Sequence, residues 1–151
     1  MADLSISSSA FGSGSEIPKK YGYKHGNASP PLTIENIPEN CASLALIVDD
    51  PDAVGPAGKV WVHWLVWNIP PESPGFDESG TPSGSLEGRT DFDEVGYGGP
   101  APPDKRHTYI FKLYALDSKI DLAAGASKKQ LERAMQDHVI AQTKLEGTFA
   151  P

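Results

Sequence analysis

The residues able to do chemistry in this chain fall in three short runs. Asp50 and Asp52 lie in DDPDA, His63 in VWVHWLVW, and His107 with Tyr109 in HTYIF. Imidazoles can donate N–H bonds to an oxyanion, and a phenol adds a hydroxyl. A carboxylate can accept from an imidazole's other nitrogen, which sets the tautomer and favours the charged ring. Such a set can bind a small anion, and it can also do general acid–base work on an ester. Zinc and serine-nucleophile chemistry are not indicated, because CxxC, HxxxH and GxSxG are all absent. His25, in KHGN, reads as a loop residue.

These groups need elements to position them. From Val60 to Trp67 the pattern predicts a strand with Trp61, His63, Leu65 and Trp67 on one face and Val60, Val62, Trp64 and Val66 on the other. His63 is the one ionisable group on it, and a buried imidazole must find a partner. SLALIV, from Ser43 to Val48, reads as a central strand covered on both faces and ended by Asp49 and Asp50. A third strand over His107 to Leu116 puts His107, Tyr109, Phe111 and Leu113 on one face. Leu4 and Ile6 suggest an edge strand.

Residues 70–103 are rich in Pro, Gly, Ser and acids and read as a long surface loop, with Phe92 and Tyr97 as anchors that order its second half. Ser127 and Gln130 form a capping box for a helix whose apolar positions are Leu131, Ala134, Met135, His138, Ala141 and Leu145, with Gly147 as its stop. On that stripe His138 is structural. Several short strands and one peripheral helix predict a mainly β domain, sandwich or barrel-like.

Length and charge set further bounds. A chain of 151 residues suits one domain, spanning residues 1–151. Its net charge of -7 argues against nucleic acid and anionic membrane surfaces as partners. A lone cysteine, Cys41, precludes an intrachain disulfide and fits a reducing compartment. With neither a signal peptide nor an apolar run long enough to span a bilayer, the expected location is the cytoplasm.

Several motifs in order carry a resemblance. SPPLTIENIPENCASLALIVDDPDA, VWVHWLVWNIP and GYGGPAPPDKRHTYIFKLYALD resemble the signatures of the phosphatidylethanolamine-binding protein family, and LERAMQDHVIAQTKLEGTF resembles the end of its bacterial and archaeal, Raf-kinase-inhibitor-like branch. The resemblance implies a β-sandwich with Greek-key-type sheets, a C-terminal peripheral helix and a pocket for an anionic group such as a phospholipid's phosphate. It implies that Asp50, Asp52, Trp61, His63, Gly99, Pro103, His107 and Tyr109 form that pocket, with no metal and no cofactor. Four positions depart from the family pattern. Val54 replaces Pro, Ala101 replaces Cys, Thr108 replaces Arg and Ile34 replaces Trp, while Arg106 offers a nearby cation.

Three charge-assisted bonds of about 1.5 to 3 kcal/mol each, less the cost of association, leave roughly micromolar to millimolar affinity for a bare anion. That range favours a non-enzymatic module for a phosphate-bearing small molecule or a phosphorylated protein. The alternative is a modulator of a protease or protein kinase acting through loop 71–96, and an esterase ranks last. Long apolar strands leave room for a homodimer.

Overall fold

In the computed structural model, which describes residues 3–151, nine strands and two helices form: β1 (Ser5–Ser7), β2 (Ser15–Glu16), β3 (Leu32–Glu35), β4 (Ser43–Asp50), α1 (Val54–Ala57), β5 (Trp61–Ile69), β6 (Gly75–Phe76), β7 (Leu86–Glu87), β8 (His107–Leu116), α2 (Lys128–Met135) and β9 (Val139–Phe149). A three-stranded sheet runs β1-β3-β6 and a six-stranded sheet runs β2-β9-β8-β4-β5-β7. The fold is the mainly β sandwich expected of the sequence.

The large sheet is covered on both sides. One face meets the small sheet, and Leu44, Leu46, Val48, Trp64, Val66, Phe111 and Leu113 pack there against Leu4, Ile6, Leu32, Ile34 and Phe76. The other face, with Ala45, Ile47, Val62, Leu65 and Trp67, packs against Leu131 and Met135 of α2. Each large apolar side chain so buried contributes about 1.5 to 3 kcal/mol of transfer free energy. This is why β4, at the centre of the sheet, is apolar at successive positions rather than alternating.

β5 departs from simple alternation. Val48 pairs with Trp64 and Asp49 with Val62, so His63 is an extra residue with no partner of its own on β4. Such a bulge puts two successive side chains on one side. Trp61 and His63 therefore share a face with Trp64 and Val66, whereas Leu65 and Trp67 join Val62 on the opposite face. The period-two assignment of Leu65 and Trp67 to the His63 face is thus corrected.

The helix is also shorter than its apolar spacing suggested. Its capping box is present, with Gln130 N–H bonded to Ser127 Oγ at 3.2 Å and Ser127 N–H to Gln130 Oε1 at 2.9 Å. But α2 ends at Met135, Asp137 takes φ of 69°, and Val139–Phe149 pairs along β8 from Leu116↔Val139 to His107↔Phe149. Pairing with a neighbouring strand outweighs a helical spacing that β-branched residues such as Val139, Ile140 and Thr143 support poorly. His138 is half-exposed and its Nδ1 lies 2.8 Å from Asp117.

Candidate functional site

β4 lies between β5 and β8 and is antiparallel to both, so the end of β4 coincides with the starts of its two neighbours. This juxtaposition brings Asp50, Trp61, His63, His107 and Tyr109 together from distant parts of the sequence. They line a cavity of about 170 Å³ whose remaining wall comes from Ala53, Pro56, Ala57, Phe92, Ala101, Pro102 and Pro103.

The two imidazoles play different parts. His107 is buried, and its Nδ1–H donates to Asp50 Oδ2 at 2.6 Å while its Nε2–H donates to Asp104 Oδ1 at 2.7 Å. Two carboxylates on two ring nitrogens define an imidazolium. Burial pulls the His107 pKa down, but these two bonds and charges more than reverse that and leave it raised above the ordinary 6.5. His63 donates Nδ1–H to the Gly98 carbonyl at 2.7 Å, and the Gly98 N–H returns a bond to the His63 carbonyl at 2.8 Å. Burial lowers the His63 pKa, with the Gly98 carbonyl and Asp50 opposing it, so this ring is neutral and Nε2 carries a lone pair. Tyr109 stands between the rings, with centroids 5.1 Å from His63 and 6.3 Å from His107. Burial, followed by the charge of Asp50, holds its hydroxyl protonated.

A proton-by-proton prediction follows. In an NMR titration, the His107 ring is expected to lose its proton above pH 6.5 and the His63 ring to gain one only below pH 6.5. The same midpoint for both rings would show that the two environments do not differ as described.

Of the eight residues drawn from the sequence, six line the cavity. Asp52 and Gly99 do not. Asp52 is exposed and its Oδ2 accepts the Thr108 N–H at 2.8 Å, tying the loop after β4 to the start of β8. Gly99 packs backbone against backbone: a Cβ there would lie 2.0 Å from the Tyr21 carbonyl oxygen, and its N–H is held by Asn27 Oδ1 at 2.7 Å. Asp50 has a second task, since its Oδ1 accepts the Asp52 N–H at 2.9 Å and caps the turn that leads into α1.

Two groups were not singled out from the sequence as part of the site. Phe92, expected only to anchor its loop, stacks on Tyr23 at 4.0 Å and meets Trp61 and His63 edge-on at 5.6 and 5.5 Å. Asp104 lies three residues before His107, a spacing that could have drawn attention to it. Among the described residues, Trp61 Nε1 and Tyr109 Oη are buried polar atoms without a hydrogen-bond partner, and both belong to residues that line the cavity.

A two-sheet β-sandwich with an imidazole-lined cavity where β4 ends and β5 and β8 begin defines a class of β-sandwich protein with a cavity at one end of its larger sheet. The phosphatidylethanolamine-binding protein family model matches residues 7–150, and the chain belongs to that family. A protein designated UPF0098 from Methanothermobacter thermautotrophicus is 43% identical over 151 residues, covering 97% of this chain and 98% of its own. The crystal structure of a phosphatidylethanolamine-binding protein homologue from Chlamydia trachomatis superposes with a TM-score of 0.92 at 38% identity, covering 97% of each chain. Escherichia coli YbcL, described as a member of the mammalian PEBP family, does so with a TM-score of 0.90 at 31% identity, covering 98% of each chain. No helix among the described residues is long and apolar enough to cross a membrane.

Proposed function

We propose that this chain is a non-enzymatic binding protein whose cavity takes the phosphate of a phosphate-bearing small molecule or a phosphorylated partner. The observation that carries this reading is a buried imidazole, His107, bonded to two carboxylates and set in the wall of an otherwise largely apolar cavity. Asp50 and Asp104 offset the ring's charge, so what His107 offers an oxyanion is a buried, charge-assisted N–H donor once one carboxylate gives way. The buried donors Trp61 Nε1 and Tyr109 Oη, which have no partner among the described residues, supply further bonds to an acceptor oxygen once the wall adjusts around a guest. Aromatic and proline surfaces from Trp61, Phe92, Pro102 and Pro103 suit the carbon part of a headgroup or side chain.

The same lining supports a binding role over hydrolysis through a side-chain hydroxyl. Its one hydroxyl is the Tyr109 phenol, held protonated by burial and Asp50, which makes it a poor nucleophile at neutral pH. The test is a titration with inorganic phosphate and phosphoethanolamine, followed through the His63 and His107 ring resonances. Saturable shifts in the micromolar to millimolar range, abolished by His107→Ala, are expected. Spectra that do not move at tens of millimolar ligand would end the proposal.

A further inference from the structure

An imidazolium has two N–H donors, and in this structure both are taken. Asp50 holds Nδ1 from within the sheet, where its side chain is 4% exposed. Asp104 holds Nε2 from the rim, where its side chain is 41% exposed. An incoming oxyanion has no free donor on His107 to meet. We propose that Asp104 is an internal stand-in for the ligand: its carboxylate occupies the Nε2 position that a phosphate oxygen takes, and binding proceeds by exchange of one for the other.

This rests on the anion reading of the cavity and adds to it which bond is exchangeable. The asymmetry between the two carboxylates supports the choice. Asp50 is also tied to the Asp52 N–H, so its departure would uncap the turn before α1 and strand a charge inside the sheet. Asp104 sits in the exposed loop between Pro103 and His107, and water can solvate its carboxylate as soon as it leaves. The neighbouring cations do not hold it. Arg106 is engaged with Glu16 at 3.2 Å, and Lys105 is exposed. Asp104 also raises the selectivity of the cavity, because a single-acceptor anion gains little by replacing a carboxylate already in place, whereas a phosphate brings additional oxygens.

An internal occupant lowers apparent affinity by the fraction of molecules in which the site is free. The experiment is a titration of inorganic phosphate into the wild type, Asp104→Ala, Asp104→Asn and His107→Ala at pH 6, with the protonation of His107, wherever it is present, read from its ring resonances. Asp104→Ala is expected to bind phosphate about tenfold tighter than the wild type, corresponding to an occupant present about nine-tenths of the time. Asp104→Asn, which still offers a weaker acceptor, is expected to fall between them. Wild-type binding that depends on His107 but is unchanged or weakened in both Asp104 variants overturns the exchange and leaves the cavity reading intact. Absence of binding in both the wild type and Asp104→Ala ends both.

Discussion

Replacing Asp50 by alanine is expected to cost about 4 kcal/mol of stability at pH 5.5 and distinctly less at pH 8. The side chain does two things. It accepts the Nδ1–H of a buried imidazolium at 2.6 Å and caps the following turn through the Asp52 N–H at 2.9 Å. Breaking a buried ion pair from one side typically costs about 3 to 5 kcal/mol, and losing a cap costs about 1. The lower end applies because Asp104 remains as a partner and because His107 can shed its proton. The sign with pH follows from the direction of the His107 shift. Its pKa is raised in the fold, so the stabilisation is fully present below 6.5 and is lost as pH rises through the folded value. Urea denaturation of wild type, Asp50→Ala and Asp50→Asn at the two pH values tests this. Asparagine has a single carbonyl oxygen, so it keeps one of the two acceptor roles and loses the charge, and its deficit also narrows with pH. A deficit that is flat or grows with pH would show that His107 is not held as a cation.

Gly99→Ala is expected to lose about 3 kcal/mol and lower the melting temperature by roughly 10 °C. Its new Cβ would lie 2.0 Å from Tyr21 O, 2.8 Å from Tyr23 N and 2.9 Å from Gly22 C, all backbone atoms that cannot rotate away. Separating the two segments would weaken the Tyr23 N–H bond to Pro100 O at 3.0 Å and the Tyr97 hydroxyl bond to Tyr21 O at 2.9 Å. It would also disturb Gly98, whose carbonyl sets the tautomer of His63. Thermal unfolding monitored together with the His63 ring resonances checks both consequences. A variant that melts like the wild type but binds phosphate more weakly would instead place Gly99 against the ligand.

Much of the framework was legible because burial leaves a compositional trace. The runs SLALIV, VWVHWLVW and HTYIFKLYAL could hardly be anything but covered strands, and they are β4, β5 and β8, the three that meet at the site. The capping box of α2 and the anchoring by Phe92 and Tyr97 were legible for the same kind of local reason. The extent of α2 was not, since Leu131, Ala134, Met135 and His138 satisfy a helical period while the residues after them pair with a strand remote in sequence. The phase of β5 was not legible either. A bulge at His63 depends on which β4 residue faces which β5 residue, and no local pattern states that register.

The site divides along the same line. Residue type alone determined that His63 needed a partner and that a carboxylate was a fitting partner for one of the imidazoles. Type also determined that Asp50, Asp52, His63, His107 and Tyr109 were the groups with chemistry to offer. The tertiary structure decided which partner each obtained: a carbonyl for His63, which leaves it neutral, and two carboxylates for His107, which make it a cation. Protonation depends on what lies within about 3 Å of a ring nitrogen and on how much water remains around it. Those distances are settled by strand order, register and a loop's return path, and residue identity by itself does not contain them.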